Sequence, residues 1–239
     1  MYDRRLSQSL PRVEERIAAA RNRAGRADAV RLIAVTKGHP VEAVAAAVRA
    51  GLRDVGENRV QELEEKRAAF DAAGAGDAAG AAGPEWHLIG HLQRNKVRRA
   101  ITLFEMIHSV DSLRLAQELS KEAERAGIVV RALVQVNVSG EVTKGGFEAA
   151  RAVDMIAGVA SLPGIAVEGL MTMAPFTDDE AMVRSTFAGA RGLLERCAAE
   201  GVPVGRELSM GMSGDYEIAI EEGSTMVRIG TTLFGEREP

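Results

Sequence analysis

The feature that most limits what this chain can fold into is an alternation. Short apolar runs rich in β-branched residues recur along it, each followed by a longer stretch whose apolar residues keep helical spacing. The candidate strands are Leu32–Thr36, Arg53–Gly56, Trp86–Gly90, Phe104–Ser109, Val129–Val138, Ile165–Met171, Arg206–Met210 and Thr225–Ile229. After the first run, Val41, Val44 and Val48 share one helical face and Gly51 is a plausible stop. The clearest helix falls between Asp178 and Ala199. The pattern gives about eight βα units, the number a closed parallel barrel requires. A doubly wound open sheet is the competing arrangement. An opening helix carries Leu10, Val13, Ile17 and Ala20 on one face, with Pro11 near its start or at a kink. The expectation is a (β/α)8 TIM barrel formed by residues 1–239 as one domain, with residues 1–30 as an extra N-terminal helical segment packed on it.

Composition supports a globular chain. Of 239 residues, 46% are apolar and 27% charged, enough for a large core without a disulfide or metal to support it. A net charge of −4 implies no strong pull toward nucleic acid or an anionic membrane. The cationic run Arg94-Asn95-Lys96-Val97-Arg98-Arg99 reads as a solvated helix face. The only cysteine, Cys197, excludes an intrachain disulfide and suits a reducing cytoplasm. It falls on a helical stripe with Val183, Phe187, Ala190 and Leu194, the place of a small buried hydrophobe. No apolar run follows the N-terminal arginines as in a signal peptide, and none approaches the ~20 residues of a membrane span. The stretch 71–84 is rich in Ala and Gly and reads as a mobile loop between the second helix and third strand of the repeating pattern.

The chain has five lysines: Lys37, Lys66, Lys96, Lys121 and Lys144. Lys66, Lys96 and Lys121 sit in charged helical stretches and read as solvated. Lys37 ends the first apolar strand and precedes the turn Gly38-His39-Pro40. In a parallel barrel, the strand C-termini form the active mouth. If Ile33 and Val35 face inward, so does Lys37, because side chains alternate with period two. Partial desolvation there would lower the pKa of the amine and free it to attack an aldehyde. The alternative is a lysine that snorkels to solvent from the strand end.

Two loops bear on that choice. Met210-Gly211-Met212-Ser213-Gly214-Asp215 follows the seventh strand, where Ser213 and Gly214 would cap a helix and present its N–H groups to an anion. Arg228-Ile229-Gly230-Thr231 follows the eighth, where Gly230 permits close backbone approach and Thr231 adds a hydroxyl and an N–H. Loops after strands seven and eight are the usual phosphate cup of barrel enzymes. Closing the barrel puts strand eight beside strand one, so the cup and Lys37 share one mouth. A ligand with a phosphate at one end and an aldehyde at the other would bridge them, and pyridoxal 5′-phosphate (PLP) is such a ligand. Arg228 would lie beneath its ring if it faces inward; outward, it would be a salt-bridged surface arginine.

Four segments carry a resemblance over nearly the whole chain, in order: Ala34-Val35-Thr36-Lys37, Gly56-Glu57-Asn58-Arg59-Val60-Gln61-Glu62, Trp86-His87-Leu88-Ile89-Gly90-His91-Leu92-Gln93 and Leu208-Ser209-Met210-Gly211-Met212-Ser213. They resemble the YggS/PROSC family of PLP homeostasis proteins, whose barrel is like the N-terminal domain of alanine racemase without that enzyme's second domain. The resemblance implies that Lys37 carries PLP as a Schiff base. It implies that Ser213, Gly230 and Thr231 hold the phosphate, that Arg228 faces the pyridine nitrogen and that Asn58 lines the site near the ring. Met210 would contribute backbone near the phosphate. Lys144 would sit on a loop over the mouth as a secondary amine that accepts or releases the cofactor. The implied partners are PLP and apo PLP-dependent enzymes, and the implied state is a monomer.

His87 and His91 have the i, i+4 spacing of a zinc helix, but the Glu that should follow the first His is missing and Gly90 suits a strand end, so no metal site is expected. Three functions remain open: a carrier that stores and delivers PLP without substantial catalysis, a PLP-dependent amino-acid racemase of low activity, and a metal-free aldolase using Lys37. An arginine cannot protonate a pyridine nitrogen, which weakens the ring as an electron sink. Racemisation also needs a second base, which racemases of this fold take from a tyrosine outside the barrel. The two tyrosines here, Tyr2 and Tyr216, are poorly placed for it, so the carrier is favoured.

Overall fold

The computed structural model describes residues 1–74, 83–141 and 145–236. Their strands are β1 (Arg31–Val35), β2 (Asp54–Glu57), β3 (Glu85–Leu88), β4 (Met106–Val110), β5 (Val130–Asn137), β6 (Phe147–Glu148), β7 (Ile165–Met171), β8 (Glu207–Met212) and β9 (Met226–Ile229). All pairings are parallel. β9 pairs with β1 and β4 with β5, so eight strands close into a barrel; the two-residue β6 lies outside it, beside β5. The eight-unit expectation and the barrel are borne out. The strand expected from Phe104 begins at Met106 instead, because Phe104 packs into the apolar layer outside the barrel before the chain turns into the sheet.

The helices are α1 (Tyr2–Arg23), α2 (Val41–Arg49), α3 (Val60–Ala72), α4 (Val97–Ala100), α5 (Leu113–Ala126), α6 (Ala152–Ala160), α7 (Glu180–Ala199), α8 (Tyr216–Glu221) and α9 (Thr231–Phe234). The largest apolar layer lies between strands and helices and includes the buried Cys197. The barrel interior is smaller and methionine-rich: Ile33, Met106, Leu133, Met171 and Met226. Long flexible side chains fill the irregular centre of a tapering barrel. α1 runs through Pro11 without ending. Its Leu6, Leu10, Val13, Ile17 and Ala20 are spaced four and three apart and pack against α2, α8, α9, β1 and β9. Burying the four larger of these side chains stabilises the docked helix by roughly 1.5–3 kcal/mol each. That contact braces β9 and β1, the seam at which the candidate site is built.

The middle of the Ala/Gly-rich stretch, 75–82, lies outside the described residues, as does Lys144. No described helix is long and apolar enough to cross a membrane.

Candidate functional site

The strand C-termini open into a cavity of about 680 Å³, in the range of small-molecule sites. Lys37, Asn58, Ser213, Arg228, Gly230 and Thr231 all line it. Met210 does not. It is fully buried, its side chain packed in the layer under the helices and its carbonyl accepting from Ser224 Oγ at 2.7 Å. β8 runs two residues past Met210, and Met212 is the methionine on the cavity wall.

Lys37 arrives as the alternation predicts. Ile33 is in the barrel interior, Val35 lines the cavity, and Lys37 follows two residues later, half-buried. Asn58 reaches the wall because β3 exits through Gly90, where a Cβ would lie 2.4 Å from the Asn58 carbonyl. Only glycine lets those two strand ends pass so closely.

Lys66 corrects the sequence reading. It is buried, not solvated: Nζ donates to the Thr36 carbonyl at 2.7 Å, to Glu57 Oε1 at 2.6 Å and to Glu62 Oε1 at 2.8 Å. The signal was present. Lys66 falls three residues after Leu63 and four before Phe70, both buried, on the inner stripe of α3. The two carboxylates that share it diverge. Burial pushes the Glu57 carboxyl above the usual carboxylate value against the pull of Lys66. Glu62 is more exposed; burial raises it too, but bonds from Lys66 and the Gly38 N–H outweigh that and hold it below.

Arg228 faces inward. Its Nη1 donates to Ser209 Oγ at 2.7 Å and its Nη2 to the Thr172 carbonyl at 3.1 Å. Burial pushes the guanidinium down to about 10, which leaves it charged at neutral pH. From Ser209 a chain of bonds crosses the barrel: Ser209 Oγ to His108 Nδ1 (2.9 Å), His108 Nε2 to His87 Nδ1 (3.0 Å), and His87 Nε2 to Asp54 Oδ1 (2.9 Å). Its ends fix its direction. Arginine only donates and an ionised aspartate only accepts, so with His108 neutral each group between can donate one hydrogen bond toward Asp54. Burial, then the nearby His87 and Arg228, hold His108 well below the usual histidine value, which agrees. His87 therefore sits in the barrel interior and His91 at the mouth, paired with Asp111 at 2.9 Å; they do not share a helix. Asp54, Glu85 and His87 bring ligand-type atoms within 4.8 Å of one another, but His87 Nε2 is committed to Asp54.

The two loops predicted to form a cup meet. Thr232 N–H donates to Ser213 Oγ at 3.4 Å, joining the loop after β8 to the one after β9. Contrary to the expectation from sequence, Ser213 and Gly214 do not cap α8. Asp215 holds that position, with its Oδ1 accepting from Met212 N–H at 2.6 Å. Gly230 precedes α9 and lies against β1: a Cβ there would be 3.1 Å from the Val35 carbonyl. Sequence reasoning missed the His91–Asp111 pair, because Asp111 follows a different strand.

The alanine racemase N-terminal domain model matches residues 8–238. The chain is 42% identical over 232 residues to the pyridoxal phosphate homeostasis protein of Aquifex aeolicus, covering 97% of this chain and 98% of that one. Among solved structures it is similar to PipY of Synechococcus elongatus with PLP bound, at 36% identity and a TM-score of 0.79, covering 92% of this chain and 99% of that chain. Alanine racemase of Clostridium difficile shares the fold, at 18% identity and a TM-score of 0.72, over 94% of this chain and 58% of that chain.

Proposed function

We propose, from the premise that this chain belongs to the alanine racemase N-terminal domain family and within it to the pyridoxal phosphate homeostasis proteins, that it binds PLP and serves its storage and delivery in the cytoplasm. The observation that carries this reading is one cavity lined by a strand-end lysine, an inward arginine and two joined loops after β8 and β9. The cofactor brings an aldehyde and a phosphate-bearing arm on neighbouring carbons of a pyridine ring, and the donor set fits both groups.

In this reading Lys37 Nζ bonds the aldehyde carbon as a Schiff base. Ser213 offers its hydroxyl, and Gly230 and Thr231 their backbone and hydroxyl donors, to the phosphate. Asn58 lines the ring's edge. Arg228 is held by Ser209 and Thr172 and stays charged, so it donates a hydrogen bond without giving up a proton. Met210 supports the cup only through β8. Lys144 keeps the role of a second amine that accepts or releases the cofactor. The protein acts as a monomer, hands PLP to apo-enzymes, and requires neither nucleic acid nor membrane.

The test is borohydride reduction of the PLP-loaded protein followed by peptide mapping. One adduct at Lys37 is expected, with Lys144 modified at most in part. Protein that gains no yellow colour with PLP and no adduct at Lys37 overturns the reading.

Racemisation is the second reading, and one observation favours it: His91, hydrogen-bonded to Asp111, is a base-capable group at the mouth. Against it, no tyrosine is among the described residues lining the cavity, and Tyr216 is fully buried. Incubation with L-alanine in deuterium oxide separates the two. Deuterium at Cα appearing at ordinary enzyme rates, on the order of 1 per second or faster, would establish catalysis.

A further inference from the structure

We propose that Lys66 is the positioning residue for Lys37: its buried ammonium ties down the backbone on both sides of the reactive lysine and so sets where that amine stands in the cavity. The inference rests on the reading of Lys37 as the PLP lysine and deepens it.

A lysine ammonium has three protons, and here each has an acceptor. One goes directly to the Thr36 carbonyl, the residue before Lys37. One goes to Glu57 Oε1, which also accepts from Thr36 Oγ1 at 2.5 Å. The third goes to Glu62 Oε1, which accepts from the backbone N–H of Gly38, the residue after Lys37, at 2.6 Å. Thr36 and Gly38 are therefore both fastened to one nitrogen. Glu57 closes β2, and the Thr36 N–H donates to the Gly56 carbonyl at 3.1 Å, so the fastening is referred to the barrel wall itself.

The arrangement costs more than stability requires. Burying an ammonium and a carboxylate is expensive, and well-packed apolar residues of similar volume often do as well or better. Glu57 Oε2 is buried without a hydrogen-bond partner, a further penalty. What the charges supply that leucines could not is hydrogen bonds to Thr36 and, through Glu62, to Gly38. With both neighbours held, the backbone from which the Lys37 side chain extends is fixed in place. Condensation of its amine with an aldehyde forms a C=N bond and releases one water. Preorganising that amine favours the step, and leaves phosphate binding at the far end unaffected.

The test uses that division. PLP and pyridoxine 5′-phosphate share ring and phosphate, but pyridoxine phosphate carries an alcohol in place of the aldehyde and cannot condense with Lys37. Affinities for both are measured on the full chain, wild type, Lys66→Met, and Lys66→Met with Glu57→Gln. The double variant removes both buried charges, so it folds even if the single one does not; thermal melting verifies this. The expected result is a PLP affinity about tenfold weaker, with pyridoxine phosphate changed by less than about twofold. Equal losses for the two ligands, or no loss for either, would overturn the proposal. Failure of the underlying reading looks different: the wild type itself gives no Lys37 adduct on reduction.

Discussion

The two walls of the cavity are built on opposite plans. The Lys37 wall is held by side chains from separate segments, with Glu57 from β2 and Glu62 and Lys66 from α3, and part of their charge is buried. The wall formed by the loops after β8 and β9 is held by close backbone approach and single hydrogen bonds: a glycine against Val35, a serine hydroxyl accepting from Thr232, and an aspartate turned back on its own turn. The difference follows from what each wall has to do. A phosphate is recognised by donors in any rough cluster, whereas a covalent bond needs one atom in one place.

The largest effect expected is from Lys37→Ala, which removes the only group proposed to condense with the aldehyde at this wall. Borohydride-stable adduct at this position falls to zero, yet pyridoxine 5′-phosphate affinity stays within about threefold of wild type by calorimetry. If affinity for that analogue collapses too, the walls are not independent and the comparison fails.

Gly230→Val probes the other wall. Its Cβ would stand 3.1 Å from the Val35 carbonyl and 3.3 Å from Val35 Cβ, and the branched methyls would crowd the space between β9 and β1. Overpacking of this kind costs about 1–3 kcal/mol of stability. Here PLP and pyridoxine phosphate should weaken together, by roughly tenfold, since both carry the phosphate assigned to this loop. A loss confined to PLP would contradict the assignment of this loop to the phosphate.

How much of this was legible follows the same division. The barrel, Lys37 and the two loops were readable because each depends on local pattern: period two along β1, and glycine and hydroxyl residues at strand ends. Lys66 was misread because a charged side chain in a charged run is ordinarily solvated, and its partners come together only when β2 packs beside β1. The Asp54–His87–His108–Ser209 chain joins four strands, and no sequence spacing encodes it. Ser213 lines the cavity but does not start the helix as the sequence suggests, because Asp215, two residues on, takes that position.

That interior chain sharpens the comparison from beneath, since it supports Arg228 between the two walls. Ser209→Ala would leave His108 Nδ1 and Arg228 Nη1 each short of a partner in the barrel interior. A cost of about 1–3 kcal/mol is expected in urea unfolding. An unchanged midpoint and slope would mean that Arg228 is held by Thr172 alone.

The smallest effect is a pH dependence. His108 is buried and held neutral, with its pKa well below the usual 6.5. An unfolded chain protonates this imidazole near 6.5, and the folded one only at much lower pH. Below 6.5 the unfolded state thus binds more protons, so the contribution of His108 to stability is complete above that value and declines as the pH falls. Glu57 acts in the opposite sense: its raised pKa gives a contribution lost as the pH rises above the carboxylate range. The two are separated by subtraction. Unfolding free energies between pH 7.5 and 5.5 are compared for wild type and His108→Gln, which share the Glu57 contribution. The wild type should lose more stability on acidification than the variant. Parallel slopes would mean that His108 titrates alike in the folded and unfolded chain; a smaller loss in the wild type would mean that it is charged in the folded barrel, and the direction assigned to the chain from Arg228 to Asp54 would have to be reversed at that residue.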